Sequence, residues 1–289
     1  DEQVARLGRT HPMVRSQYFS EEISMEGGLF PPARLGLMQG SHPARELPEP
    51  GKSYALLVDL AGEDEAMRQG TSTALEQPEM LANPGRDATA ITVVEVDLHL
   101  QADELVGKPI YKIVQRYLWT GEKHSTQYAR LLMLVERWQP QRIVVDASGV
   151  GAGVASFLAD RFGERVIQLR FTQQVKSRLG WGFLAVIDTG RFQDYLPDKE
   201  QSEAARLQAL FQRQLAAVSY SVSSGPEHFI AWGVPEAARD PQGGGWLHDD
   251  LVLSAAMVAM LDEQPWSVSS STPLVIAAPD PIKEMDGGF

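Results

Sequence analysis

Apolar and polar positions along this chain follow two different periods, and the switches between them outline its elements. Tyr54-Ala-Leu-Leu-Val-Asp59 is a short, nearly continuous apolar run closing on a carboxylate, the texture of a buried strand. Ala88–Asp97 and Ile110–Trp119 are rich in β-branched and aromatic residues. They predict two more strands across a polar connection around Gly107, giving an antiparallel meander. The period then lengthens: Tyr128, Leu131, Leu132, Leu134 and Val135 recur near 3.6 residues, predicting a helix over Ser125–Trp138 that stops before Pro140. Arg142-Ile-Val-Val-Asp146 is another strand ending in a carboxylate. Ser148-Gly-Val-Gly-Ala-Gly153 turns into a helix over Val154–Phe162, and Val166–Leu169 returns as a strand, the order expected of a parallel edge. Helices over Leu179–Thr189 and Ser202–Ala217, a hairpin of Val218–Val222 with Phe229–Val234, and an all-round apolar, hence buried, helix over Leu251–Leu261 complete the set.

The fold class is therefore α/β, with a mixed sheet of antiparallel meander plus parallel strands flanked by helices. Residues 1–50, broken by Gly27-Gly28 and Pro31-Pro32, predict an irregular lead-in with short helices. Residues 51–262 form the domain, and the Ser-, Pro- and Ala-rich residues 263–289 predict a flexible tail.

Composition narrows the chemistry. The 289 residues contain no cysteine, which leaves oxygen and imidazole as the metal ligands on offer. The longest nearly apolar stretch, Leu251–Leu261, is far short of the roughly 20 residues that span a bilayer, and residues 1–20 lack the apolar centre of a signal peptide. A soluble intracellular protein with no membrane partner is expected. The formal net charge of −12 speaks against nucleic acid, whose phosphates attract Lys and Arg. The balance reverses locally: between Arg161 and Arg191, Arg161, Arg165, Arg170, Lys176, Arg178 and Arg191 stand against Glu164 and Asp188 only. These are either a basic face or scattered solvated charges.

Three acidic sites stand at chemically useful places: Asp59 and Asp146 each close a strand, and Asp249-Asp250 opens the last helix. Each has a bland use, as a strand terminator, an acidic turn or a helix cap. Strand ends and helix starts converge on one edge of an open α/β sheet, however, where ligand sites lie. Carboxylates gathered there repel one another unless a cation sits between them, and the partners suited to oxygen ligands are Mg²⁺ or Mn²⁺. Two such ions, about 3.5–4 Å apart, can activate a water and stabilise the leaving oxygen in phosphodiester cleavage.

The order Val58-Asp59-Leu-Ala-Gly62, Arg86-Asp87-Ala-Thr-Ala-Ile91, Val145-Asp146-Ala-Ser-Gly-Val-Gly-Ala-Gly153 and His248-Asp249-Asp250-Leu-Val-Leu-Ser-Ala-Ala256 resembles the nuclease domain of tailed-phage terminase large subunits, over roughly residues 50–262. The resemblance implies a ribonuclease H-like fold in which an acidic triad binds two divalent cations and cuts concatemeric double-stranded viral DNA during packaging, in the cytoplasm of a bacterial host. It places the triad on Asp59, Asp146 and the Asp249-Asp250 pair. Adjacent helical residues point about 100° apart, so the two cannot share one view of an ion. Asp250 is favoured as the main ligand, with Asp249 capping the helix or touching a second ion. In this scheme Asp59 bridges the ions, and Asp146 and Asp250 each complete a sphere. Asp87 is expected to fix the start of its strand. His248 could orient a carboxylate, although a structural histidine is the commoner case, and Arg170, Lys176, Arg178 and Arg191 are candidate DNA contacts.

The chain departs from the family in a longer link over Gly62–Arg86, and in Gly190-Arg191-Phe-Gln-Asp-Tyr195, which lacks a further basic residue after Gly-Arg. A P-loop is missing as well. Gly51-Lys52-Ser53 has Glu46 where the first glycine belongs and precedes a strand, so an ATPase motor, like the portal and small terminase subunit, would be a partner outside this chain. The rival readings are another ribonuclease H-like nuclease (a junction resolvase or transposase), an actin-like ATPase holding phosphates at Asp59–Gly62 and Gly149–Gly153, and a non-catalytic assembly module. The Asp249-Asp250 helix start is poorly explained by the ATPase.

Overall fold

The computed structural model describes residues 28–61, 88–98, 108–122, 124–197, 199, 201–223 and 229–266. The 62–86 link, Asp87, the first 27 residues and the tail beyond residue 266 lie outside the described residues. A seven-stranded mixed sheet runs through the centre, in the order β1-β7-β4-β3-β2-β5-β6. Its strands are β1 (Gln39–Pro43), β2 (Ser53–Asp59), β3 (Ala88–Asp97), β4 (Ile110–Thr120), β5 (Arg142–Asp146), β6 (Val166–Leu169) and β7 (Phe192–Leu196). The expected meander is present, since β2 pairs antiparallel with β3 and β3 with β4. The expected parallel edge is present too, since β5 lies parallel to both β2 and β6.

Helices cover both faces, which is why β2 reads as a continuous apolar run: Tyr54 through Val58 are all buried. Along β2 and β5 the side chains divide by parity. Ala55, Leu57 and Val144 enter the larger core, and Leu56, Val58, Ile143 and Val145 the smaller. The smaller core is closed by α2 (His124–Trp138) and α3 (Ala152–Phe162), through residues such as Leu134, Trp138, Val154 and Leu158. The larger core is closed by α4 (Gln173–Asp188), α5 (Glu203–Ala217), α6 (Asp250–Ala256) and α7 (Val258–Leu261), together with a hairpin of β8 (Ser219–Val222) and β9 (Ile230–Gly233). The hairpin sits tightly on α4. A Cβ at Gly180 would collide with the Trp232 indole, whose Nε1 donates to the Lys176 carbonyl at 2.8 Å.

Four expectations needed correction. The lead-in, whose described part holds a short helix α1 (Pro32–Leu37) as expected, also contributes the edge strand β1, which pairs parallel with β7. β7 itself has no counterpart among the elements predicted from the sequence. The helix expected from Leu179 begins six residues earlier, where Thr172 caps it by accepting from the Val175 N–H at 3.2 Å. The single helix expected over Leu251–Leu261 is two, divided at Met257. Among the described residues, no helix is long and apolar enough to cross a membrane.

Past α7 the chain is clamped. Asp262 receives both Nη groups of Arg191, the Lys108 ammonium at 3.0 Å and the Tyr111 hydroxyl at 3.0 Å. Burial alone would raise the Asp262 carboxyl; the hydrogen bonds and charge of Arg191, with Lys108, outweigh it and hold the group below the usual carboxylate range. A depressed folded-state value stabilises the protein above the ordinary carboxylate pKa, and that stability is lost as pH falls through the folded-state value. The unfolding midpoint of the unaltered chain should therefore exceed that of Asp262→Asn at neutral pH. The gap should close below about pH 4 in urea titrations.

Candidate metal centre

β2 and β5 run parallel in the register Val58 opposite Val145, so Asp59 and Asp146 end neighbouring strands side by side. Both follow the parity of Leu57 and Val144, which directs their side chains to the face covered by α6. That helix is pinned onto the strands one turn beyond its start. The Ser254 hydroxyl lies 2.9 Å from the Leu57 carbonyl oxygen, to which it donates, and 2.9 Å from the Thr92 hydroxyl. Ser254 is fully buried, and Asp250 precedes it by one helical turn on the same face. Ser254→Ala removes both bonds and should lower unfolding stability by about 1–3 kcal/mol in urea denaturation.

A cleft of about 310 Å³ results, lined by Asp59, Asp146, Asp249, Asp250, Lys176 and Phe171, among others. Asp59, Asp146 and Asp250 are only 8%, 6% and 6% exposed, which is too buried for ordinary surface acids. Burial pushes the Asp146 carboxyl up from its usual range, against the lowering effects of its hydrogen bonds from Ser148 and the charge of Lys176. The Ser148 N–H donates to Asp146 at 2.8 Å, and the Ser148 hydroxyl accepts from the Phe171 N–H at 2.7 Å, so the turn after β5 is tied to the end of β6. Asp250 is the first residue of α6. Asp249, half-buried, occupies the cap position, yet its side chain makes no capping hydrogen bond, contrary to one of its two expected uses.

The donors suit a hard divalent cation, being carboxylate oxygens held out of water beside one another. Among the described residues, however, no three Asp, Glu or His side chains are gathered closely enough to enclose an ion as they stand. A closed cage is not what Mg²⁺ requires, because it retains several waters and takes one or two carboxylates plus substrate oxygens.

The basic candidates separate. Lys176 lines the cleft and Arg170 is exposed. Arg178 is exposed and forms an ion pair with Glu263, donating from Nε at 2.7 Å. Arg191 is turned inward, 7% exposed, bound to Asp262 and to the Pro109 carbonyl at 3.2 Å, so it holds the fold together and is withdrawn from DNA. His248 stands half-buried immediately before Asp249. Gln214 and Gly233, both against the start of α6, are contributions that sequence reading missed; neither carries a sequence signal.

Residues 82–197, a span that includes Asp146, match the family model described as the terminase RNase H-like domain. Among solved structures, the large terminase nuclease from thermophilic phage G20c is 18% identical, with 82% of this chain and 99% of that chain covered at a TM-score of 0.51. The same nuclease with bound magnesium is 18% identical over 81% of this chain and 96% of that chain, with a TM-score of 0.52. The large terminase nuclease domain of Thermus phage P74-26 is 18% identical over 83% and 98%, with a TM-score of 0.50. Comparison with curated proteins returns no match. Residues 82–197 are thus similar to a terminase RNase H-like domain, and the mixed seven-stranded sheet flanked by helices has the fold of the phage large-terminase nucleases.

Proposed function

We propose that this chain is the DNA-cutting part of a phage packaging machine, a divalent-metal-dependent endonuclease acting on double-stranded viral DNA. The observation that carries the reading is the meeting of Asp59, Asp146, Asp249 and Asp250 in one cleft, from two strand ends and a helix start. The magnesium-bound state of the G20c nuclease, which shares the fold, supports the choice of cation. Two ions, Mg²⁺ or Mn²⁺, would supply water activation and charge neutralisation at the leaving oxygen when bound. Asp59, Asp146 and Asp250 would hold them, with Asp249 in the same cleft as a further carboxylate. Lys176, in the same cleft, would draw in the scissile phosphodiester. The motor, portal and small subunit would act as partners in the host cytoplasm, and tethering to them would raise the effective DNA concentration for an acidic protein with weak intrinsic affinity.

Linear and supercoiled duplexes incubated with Mn²⁺ or Mg²⁺ should be cut with little sequence preference, and chelator should stop the reaction. DNA binding should weaken with salt, as phosphate contacts do. Cleavage that persists in chelator would sink the metal reading, and a strong preference for four-way junctions over linear duplex would favour a resolvase.

A further inference from the structure

The segment between β9 and α6, residues 234–249, leaves the cleft and returns to it. Just before it, a Cβ on Gly233 would fall 2.7 Å from Oδ2 of Asp249, and it ends on Asp249 itself, which lines the cleft. A loop whose two ends meet displays its middle as a compact surface unit. This one displays a stacked pair. The guanidinium carbon of Arg239 lies 3.4 Å from the centre of the Trp246 ring, both side chains are exposed, and the two residues stand opposite each other in an antiparallel bridge. The backbone around them is fixed: the Asp240 N–H donates to the Gly245 carbonyl at 2.8 Å, and the Leu247 N–H to the Ala238 carbonyl at 3.1 Å. Asp240 is held in turn from α5, where Nη2 of Arg213 donates to Oδ2 at 3.1 Å and Nε stands 2.9 Å from Oδ1. The Trp246 indole, 39% exposed, belongs to neither core, so packing does not account for so ordered a display.

We propose that Arg239 and Trp246 form a clamp for a backbone phosphate of the DNA strand held at the cleft, the guanidinium binding the phosphate and the indole holding the guanidinium in place; this rests on the reading of the cleft as one that takes duplex DNA. Trp246 is three peptide units from Asp249, so their Cα atoms lie at most about 11 Å apart, and a phosphate neighbouring the scissile one comes within reach of the pair. At van der Waals distance over a ring, a guanidinium lies along its face, drawn by the ring quadrupole, and keeps its N–H groups at the perimeter for oxygens in its own plane. The indole has already restricted the long side chain, so less freedom is lost when a phosphate binds. Charge points the same way. Arg178 and Arg191 meet the carboxylates of Glu263 and Asp262, whereas Arg239 meets a ring, which cancels no charge. In a chain of net charge −12, a cation kept for phosphates beside the cleft counts for more than one on a basic surface.

The test is duplex binding in chelator, where no metal-supported cutting intervenes, followed by the anisotropy of a fluorescein-labelled duplex across a salt series. Losing one phosphate contact makes the log–log dependence of affinity on salt shallower by about 0.9, so Arg239→Ala should show that change and bind about fivefold more weakly at low salt. Trp246→Ala should keep the slope and lose about threefold in affinity, because the charge remains and its positioning is gone; Trp246→Phe should restore most of it. Arg239→Lys should keep the slope without the full affinity, since an ammonium lacks the planar fork. Arg137→Ala removes an exposed arginine from α2, on the other side of the sheet, and should change neither quantity. Should Arg239→Ala disturb the loop, Arg239→Gln keeps a long polar side chain without the charge. An unchanged slope in both Arg239 variants, an equal loss in Arg137→Ala, or no measurable duplex affinity in the unaltered chain would overturn the clamp. Cleavage separates the two levels. A chain whose duplex binding depends on Arg239 but that cuts nothing with Mn²⁺ or Mg²⁺ defeats the nuclease reading and leaves the clamp standing, whereas cutting by a chain in which Arg239→Ala binds unchanged does the reverse.

Discussion

Asp59→Asn and Asp146→Asn should each reduce metal-supported DNA cleavage by about 10³-fold or more, while leaving the domain folded. The size follows from the loss of several kcal/mol of charge stabilisation at about 1.4 kcal/mol per decade. The substitutions keep the shape of the side chain, and the amide oxygen introduced by Asp146→Asn could still accept from the Ser148 N–H. They also remove a buried negative charge from beside other acids. The metal-free thermal midpoint should therefore hold or rise as activity falls, the usual trade between a charged site and the stability of its scaffold. Initial rates with saturating Mn²⁺, set beside melting curves in chelator, check both halves. Undiminished cutting by both variants would refute the site assignment, and a collapsed melting transition would show that these acids serve the fold.

The second large effect is expected at a residue that does not line the cleft. Arg116, in the middle of β4, has a fully buried side chain; its Nη1 donates to Asp194 of β7 at 2.8 Å, and its guanidinium lies 4.1 Å from the centre of the Phe211 ring and 5.1 Å from that of Tyr195. Asp194→Ala would strand a buried cation and should cost about 3–5 kcal/mol in urea unfolding. Adding Arg116→Met should recover most of that loss, because an apolar pair of similar volume avoids desolvating two charges. A single substitution within about 1 kcal/mol of the unaltered chain would show that the pair contributes little to the fold.

That ion pair also shows why part of the fold was hidden in the sequence. β2, β3 and β4 were legible because local preference and burial agree in them. β7 places Asp194 in mid-strand, and β1 is Gln-Gly-Ser-His-Pro; neither has a pattern of its own. What makes them strands is supplied from elsewhere, by the Arg116 guanidinium and by bonds such as that from the Asp194 N–H to the Met38 carbonyl at 2.7 Å. The first turns of α4, Gln173-Gln-Val-Lys-Ser-Arg178, are polar enough to pass for loop, although the Thr172 cap ahead of them was visible. Arg191 misled in the opposite way, since its charge suggests a surface contact and only the partner Asp262, 71 residues on, turns it inward. The acids of the cleft were readable because strand ends and helix starts announce themselves locally. The bond from the Leu251 N–H to the Gln214 amide oxygen was not, because it depends on how α5 and α6 meet, which no spacing within either helix records.

Ser254 and the carbonyl it holds are separated by 197 residues. A chain still emerging from the ribosome thus carries both strand-end acids long before the helix that completes their cleft, and contacts that close so large a loop form late. The proposed cutting site would therefore stay incomplete until synthesis has passed α6, and a nascent chain that carries only Asp59 and Asp146 would lack the Asp250 side of the cleft.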